Sequence, residues 1–343
     1  MKLSLGDLPE HGWKTMRPFS QAARPCLYSM VSCLLVLLGS VATAQPPPPA
    51  ARSRSGFTEP RTQRWVVGLQ VQSPGTASGI IGTMTVPMSW PEQEVVVVET
   101  RKTSHVSSIR YRTITGNVRQ MVVLVSRLKA GETAEVMVTF EITRSVMTAP
   151  QETTDLVIPA EPPAAVRRYL SASPGIELRD PKIQQLSREI GTEGLNDWQQ
   201  AEALYDWVRE NIRYRFDEQL RGARAALESR QGDCEELTSL FIALCRARGI
   251  PARSVWIPGH CYAEFYMQDA EGHGHWFPCQ SAGTRAFGAM PEYRPVLQKG
   301  DNIRVPGISR PQRYVGDMLK AKVVTAALNV KFTRHRVEPA ENP

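Results

Sequence analysis

The chain has 343 residues, of which 42% are hydrophobic and 22% charged, and its formal net charge is +7. This length is enough for one large domain or two ordinary domains, and the composition is that of a globular protein rather than a disordered or fibrous one. The positive charge is modest and spread along the chain, which argues against nucleic acid as a partner.

The first 44 residues have the pattern of an export signal. Basic residues, including Arg17 and Arg24, precede an apolar stretch at 27–41, and Ala42-Thr43-Ala44 supplies the small residues of a cleavage site. The apolar stretch is shorter than the roughly 20 residues that span a membrane. We therefore expect cleavage near Ala44, a periplasmic or secreted location, and no stable membrane insertion afterwards. An uncleaved N-terminal anchor is the alternative.

Residues 45–60 contain four consecutive prolines and are predicted to form a stiff linker. Residues 61–150 then alternate between apolar and polar side chains, for example from Trp65 to Val71 and from Ala134 to Ile142. Such alternation is typical of strands with one buried face, and two packed sheets are a usual way to bury those faces. We expect a small all-β, sandwich-like domain without a catalytic cluster.

The pattern becomes helical after residue 150. Asp180 precedes a proline and marks one helix start, and Asn196 or Asp197 caps a second helix. A third helix is predicted to begin after Asp233 and to end at Gly249. An all-β segment followed by helices and then a hairpin predicts an α+β catalytic region.

Two strands, His260–Tyr266 and Trp276–Gln280, follow the third helix and are predicted to form a hairpin. We place a catalytic domain at 151–310 and a C-terminal strand with a basic tail at 311–343.

Cys234 falls on the first position of the third helix. Asp233 stands at the N-cap and Glu236 three residues later, which is the spacing of a capping box. The helix dipole and the unpaired backbone N–H groups favour the thiolate, which is the nucleophilic form, and the same groups can stabilise an oxyanion. Neighbouring acidic residues oppose thiolate formation, so a base is needed. The alternative is a buried structural cysteine, as expected for Cys245 in the middle of the helix.

His260, at the start of the first hairpin strand, is the candidate base. The motifs GDC, RARGIPARSV, HCYAEFY and HWFPCQ occur in this order, preceded by AEALYDWVRENIRYRF. Over roughly residues 165–285 they resemble the transglutaminase-like superfamily. The resemblance implies a papain-like core in which Cys234 faces His260 on a neighbouring strand, with no cofactor.

Gln280 departs from the pattern of that superfamily, which places an aspartate at this position of the second strand. An aspartate stabilises the imidazolium and fixes its tautomer. A glutamine can orient the ring through its carbonyl oxygen but adds no charge. The predicted catalytic residues are therefore Cys234, His260 and Gln280.

The hairpin register follows if His260 lies opposite Gln280, because opposed residues in an antiparallel pair have a constant index sum. Cys261 would then lie opposite Cys279 on the other face, and Glu264 opposite Trp276. The two thiols would be close, as packed reduced groups or as a disulfide formed after export. A redox role for this pair is a weaker alternative, because it is not a C-x-x-C motif.

His273 and His275 suggest a metal site that includes Cys261 or Cys279, but their spacing matches no common zinc motif. We expect no metal.

These patterns together predict an exported thiol enzyme that acts on amide or peptide bonds of a protein or peptide substrate through a thioester acyl-enzyme. The resemblance favours hydrolysis over transfer to an amine. The alternative is a non-catalytic binding or scaffolding module that keeps the fold.

Overall fold

A computed structural model describes residues 56–114, 117–217 and 219–337. The expected leader, its cleavage position and most of the proline-rich linker lie outside the described residues. Within these ranges no helix is both long enough and apolar enough to cross a membrane.

The strands are β1 (Phe57–Gln72), β2 (Ala77–Val86), β3 (Gln93–Lys102), β4 (Val106–Ile114), β5 (Val118–Leu128), β6 (Thr133–Met147), β7 (Arg213–Tyr214), β8 (Gln231–Gly232), β9 (Ala252–Ile257), β10 (His260–Gln268), β11 (Gly274–Gln280), β12 (Ala286–Phe287), β13 (Gln298–Lys299), β14 (Met318–Lys320), β15 (Val323–Val324) and β16 (Asn329–Val337). The helices are α1 (Ala164–Arg167), α2 (Pro181–Glu189), α3 (Asp197–Asn211), α4 (Ala223–Ser229) and α5 (Cys234–Ala247).

Two sheets pack face to face in the N-terminal region, as the alternating pattern predicts. One has the strand order β16-β1-β6-β3, and the other contains β4, β5, β2 and β14. Apolar side chains on alternate positions, such as Leu69, Met121 and Val136, form the core between them. The C-terminal strand β16 returns to pair with β1, so the last described segment completes the first sheet. The sandwich-like fold is confirmed.

The second sheet extends beyond the sandwich. Its strand order is β12-β11-β10-β9-β13-β5-β2-β14, and Gln298 of β13 pairs with Val118 of β5 on one side and Trp256 of β9 on the other. One sheet therefore runs from the sandwich into the α+β region. The domain bounds themselves remain a prediction.

A buried ionic cluster lies where these two regions meet. Lys299 places its Nζ atom 2.7 Å from a carboxylate oxygen of Glu92 and 2.5 Å from one of Glu264. Arg253 approaches the other Glu264 oxygen at 2.6 Å. All four side chains are at most about a tenth exposed. Each buried charge has a partner, which is the condition under which such groups are tolerated in a core.

The predicted helix starts are confirmed. Asp180 and Asn196 cap α2 and α3 through their side chains, and Asp233 with Glu236 forms a complete capping box at α5. Helix α5 is the central helix, with apolar residues buried against β9, β10 and the other helices. Gly249 ends it with a φ of +79°, a conformation that glycine adopts without steric cost.

The predicted hairpin register is wrong by two residues. Ala263 lies opposite Cys279 and Tyr266 opposite Trp276, whereas Cys261 and Cys279 are diagonal rather than directly opposed. The loop sets this register: Asp269 accepts a hydrogen bond from the backbone N–H of His273, and the strands extend to Gln268 and Gly274. A shift of two keeps every side chain on its predicted face. Cys261 and Cys279 are free, buried thiols.

Candidate active site

Cys234 lies at the N-terminus of α5, as predicted. It is the first helical residue and is partly exposed, whereas the other described cysteines, Cys245, Cys261 and Cys279, are buried. Burial also raises the pKa of those three thiols well above their ordinary value. Cys234 is thus the accessible thiol among the described cysteines.

Thr238 fixes this helix start against strand β10. Its hydroxyl donates to the backbone oxygen of Cys261 over 3.2 Å. Thr238 is about one turn after Cys234 on the helix, and Cys261 follows His260 on the strand. The Asp233 carboxylate, next to Cys234, is also near enough to His260 to act on its pKa. The Thr238 bond brings the first turn of α5 beside the start of β10, and the electrostatic effect of Asp233 on His260 agrees with this placement.

His260 and Gln280 meet as predicted. The Nε2 atom of His260 lies 3.0 Å from Oε1 of Gln280, and the amide nitrogen of Gln280 donates to the backbone oxygen of Thr284 over 3.0 Å. That second bond fixes which end of the amide faces the ring. The neutral imidazole then carries its proton on Nε2, which leaves Nδ1 as the proton acceptor.

The surroundings of His260 favour the neutral ring. Burial and the positive charge of Arg294 lower its pKa to about 4, although Gln280, Glu292 and Asp233 act in the opposite direction. Arg294 is held near the strand start by a 2.9 Å hydrogen bond to the backbone oxygen of Pro258. The ring is therefore neutral near pH 7, and its lowered pKa makes it a weaker proton acceptor than an ordinary histidine.

Comparisons with known proteins address this part of the chain. Residues 184–281 match the family model described as the transglutaminase-like superfamily. They form a transglutaminase-like core. No curated protein matches the chain significantly.

Solved structures give the wider fold. A candidate cysteine protease from Cytophaga hutchinsonii aligns with a TM-score of 0.56 at 15% identity, covering 84% of this chain and 94% of that one. A candidate protease from Parabacteroides distasonis aligns with a TM-score of 0.24 at 10% identity, covering 66% and 68%. The first shares the fold across the sandwich and the transglutaminase-like core.

The capping box of α5 changes the expected oxyanion site of the transglutaminase-like core. The Asp233 carboxylate accepts hydrogen bonds from the backbone N–H groups of Glu235 and Glu236. Those two amides are committed to the cap, so a developing oxyanion requires other donors.

Two groups of acidic or histidine side chains lie close enough for a metal ion among the described residues. Asp233, Glu235 and Glu236 form one, but Asp233 and Glu236 are occupied by the capping box. The other is Asp269, Glu271 and His273, in the loop between β10 and β11.

His273 and His275, which the sequence suggests as metal ligands together with Cys261 or Cys279, lie away from those cysteines. His275 pairs through Nε2 with Asp269 at 2.7 Å, and it lies opposite Met267. Cys279 is four residues further along β11, about 13 Å away. A metal site that joins these histidines to Cys261 or Cys279 is therefore not formed among the described residues.

An aromatic edge borders Cys234 that the sequence patterns did not single out. Tyr214 pairs with Gly232, two residues before Cys234, and is 52% exposed; Phe216 is 56% exposed. Partial burial raises the pKa of the Tyr214 hydroxyl to about 12, and the nearby Cys234, Asp233 and Glu235 act in the same direction. We call Tyr214 and Phe216 the aromatic edge. The sequence alone does not reveal this edge, because Tyr214 comes near Cys234 only through the pairing of β7 with β8.

Helix α3 contributes two further residues to the site. Tyr205 and Arg209 both donate to the backbone oxygen of Gln280, over 2.8 Å and 3.0 Å. From sequence alone Tyr205 belongs to an apolar helix face and Arg209 to a solvated one. Their role depends on how α3 packs against the loop after β11.

Proposed function

We propose that the chain is a cysteine-dependent hydrolase of amide bonds, with Cys234 as nucleophile, His260 as base and Gln280 as the residue that orients His260. The observation that carries the proposal is the 3.0 Å contact between His260 Nε2 and Gln280 Oε1, which points the acceptor nitrogen Nδ1 away from Gln280. The hydrogen bond from Thr238 to the backbone oxygen of Cys261 supports a position of the Cys234 thiol near the His260 ring.

The proposed reaction has two steps. The Cys234 sulfur attacks the substrate carbonyl carbon while Nδ1 of His260 takes the thiol proton, and the C–N bond breaks as His260 returns that proton to the leaving amine. The product is a thioester on Cys234. Water, deprotonated by His260, then attacks the thioester and releases the carboxylic acid and the thiol. An amine in place of water would give transfer, and we favour hydrolysis.

A polypeptide is the substrate we propose. The aromatic edge supports this, because Tyr214, which pairs with Gly232 just before Cys234, and Phe216 are both exposed and offer contact area for apolar side chains. Arg213 and Arg215, on either side of Tyr214, are exposed and add positive charge beside it. We also propose that the protein acts outside the cytoplasm, for which the sequence pattern at 1–44 is the support. N-terminal sequencing of exported protein is expected to begin near Gln45, and retention of Met1 would contradict export with cleavage.

The test uses an unfolded polypeptide, reduced and alkylated casein, incubated with the parent protein and with Cys234→Ala. Mass spectrometry counts new peptide termini, and incorporation of a fluorescent primary amine reports transfer separately. We expect new termini with the parent protein and none with Cys234→Ala. Cys245→Ser, at a buried cysteine away from the proposed chemistry, is the control for loss of a thiol in general. Equal cleavage by Cys234→Ala and the parent would overturn the proposal.

The second candidate is a binding module without turnover. Gln280 favours it, because the neutral amide supplies no charge to stabilise an imidazolium, and the pKa of His260 is lowered to about 4, chiefly by burial. A binding module would bind the casein, yield no new termini, and bind it equally well as Cys234→Ala.

A further inference from the structure

The loop that follows β11 is attached to helix α3 through its backbone. Tyr205 and Arg209 both donate to the carbonyl oxygen of Gln280. Arg209 continues along the loop, with Nη1 3.2 Å from the backbone oxygen of Ser281 and Nη2 2.9 Å from that of Gly283. One guanidinium thus binds three backbone carbonyls within four residues, which suits its rigid, forked set of donors.

Tyr205 closes the same loop from its other end. Its hydroxyl donates to Gln280 and accepts from the backbone N–H of Ala286 over 3.0 Å. The ring is fully buried, and burial is the main cause that raises its pKa to about 12, so the hydroxyl keeps its proton. A single side chain therefore bridges the first and last residues of the segment 280–286.

The folded loop is what orients the Gln280 side chain. The amide nitrogen donates to the backbone oxygen of Thr284, four residues on, so the amide direction depends on where the loop places that oxygen. Gly283, with a φ of +92°, allows the chain to turn back. A Cβ there would lie only 3.3 Å from the Gln280 amide nitrogen. Residues 283–285 are exposed, so packing alone does not hold this segment.

We propose that Tyr205 and Arg209 are positioning residues that set the orientation of the Gln280 amide and, through it, the tautomer of His260. If the loop relaxes, the amide can rotate and present its NH₂ group to Nε2. The ring would then carry its proton on Nδ1, and it could no longer accept the proton of the thiol. This inference rests on the proposed function for its catalytic meaning, but the tautomer itself is measurable without any substrate.

Three variants test the proposal. Tyr205→Phe removes one hydroxyl and keeps the ring. Arg209→Lys keeps the positive charge but loses the forked set of guanidinium donors. Arg285→Ala is the control, because Arg285 contacts α3 through exposed ion pairs with Glu202 and Asp206 and lies over the Tyr205 ring at 5.5 Å, but its hydrogen bonds go to those carboxylates and not to the loop backbone. Circular dichroism and thermal melting verify that each variant is folded.

The first readout is the tautomer of His260, from long-range ¹H–¹⁵N spectra of histidine-labelled protein, with His260→Gln to assign the signal. The parent and Arg285→Ala are expected to carry the proton on Nε2. Tyr205→Phe and Arg209→Lys are expected to show a mixture of tautomers. Folded variants that both keep the parent's tautomer would overturn the proposal.

The second readout is the rate of Cys234 alkylation by iodoacetamide across pH. We expect a loss of about 5-fold or more at neutral pH for Tyr205→Phe, which removes both neutral hydrogen bonds of that hydroxyl. We expect about tenfold or more for Arg209→Lys, which weakens several charge-assisted bonds. If His260→Gln leaves the rate of the parent unchanged, the proposed function fails, while the tautomer spectra still decide the positioning role.

Discussion

His260 and Gln280 are joined by one 3.0 Å contact between a ring nitrogen and an amide oxygen, and the other end of that amide is anchored to Thr284. The arrangement fixes the ring without adding a charge to it. It accounts for a base that remains neutral, because burial and Arg294 lower the pKa of His260 to about 4 and the amide only partly compensates. Substitutions at Gln280 separate orientation from charge.

Gln280→Asp is expected to raise the pKa of His260, since a carboxylate within reach of the ring favours the imidazolium by about 1–3 pKa units. Gln280→Ala is expected to lower it further, because the hydrogen bond that the His260 ring donates to Gln280 acts to raise the pKa in the parent. Titration of the His260 ring signals by NMR measures both. The two variants shifting in the same direction would contradict the proposed contact.

Cys234 is expected to be the thiol that reacts in the folded protein. It is partly exposed at a helix start, whereas burial raises the pKa of Cys245, Cys261 and Cys279. Iodoacetamide labelling at neutral pH, with peptide mapping by mass spectrometry, should place the first adduct on Cys234. The other three are expected to label only after denaturation. A native adduct at Cys245 ahead of Cys234 would count against this site.

The stability of the protein is expected to fall between pH 6.5 and pH 4 because of His260. The pKa of His260 is lowered in the folded state, so the unfolded chain binds more protons in this range. Acid therefore stabilises the unfolded chain relative to the folded protein. The contribution is fully present above about pH 6.5 and is lost as the pH falls toward 4, at most about 3 kcal/mol in total. Denaturant unfolding at several pH values measures it.

The control for that measurement is His260→Gln, which does not titrate. As the pH falls from 6.5 to 4.5, the unfolding free energy of the parent should decrease relative to that of the variant. A difference that stays constant over this range would show that His260 does not bind protons differently in the two states.

Lys299→Met is expected to destabilise the fold by about 3–5 kcal/mol, because it leaves buried carboxylates of Glu92 and Glu264 without their shared cation. Lys320→Met, at an exposed position on β14, is the matched control and should cost much less. Urea unfolding of both variants provides the comparison. A loss below about 1 kcal/mol for Lys299→Met would mean that the cluster relaxes or takes up water.

The decrease of the unfolding free energy at low pH should also depend on this ionic cluster. Burial acts to raise the pKa of Glu264, but the charges of Lys299 and Arg253 outweigh it and lower the pKa. A carboxyl group whose pKa is lowered by folding stabilises the protein when the pH is above its unfolded pKa, near 4.5. This stabilisation is lost as the pH falls through the folded pKa. We expect Glu264→Gln to flatten the decline of unfolding free energy below pH 4.5, and an unchanged slope would contradict the assignment.

Local sequence by itself determined the start of α5 and the identity of its first residue. The capping box needs only Asp233 and Glu236 at their spacing, so no distant contact was required to place Cys234. Alternation also determined that His260 and Gln280 share a face, because a strand's side chains repeat every two residues. For the same reason a register error of two residues did not disturb that prediction.

Tertiary structure decided what joins segments far apart in the chain. The hairpin register depends on the loop at 269–273, and alternation cannot distinguish registers that differ by two. The continuous sheet depends on two residues of β13, too short a strand to carry a periodic signal. Tyr205 and Arg209 meet Gln280 only because α3 packs against the loop that follows β11, more than 70 residues later. Contacts of this kind are set by how the helices and the sheet pack together, and no local pattern in the sequence encodes them.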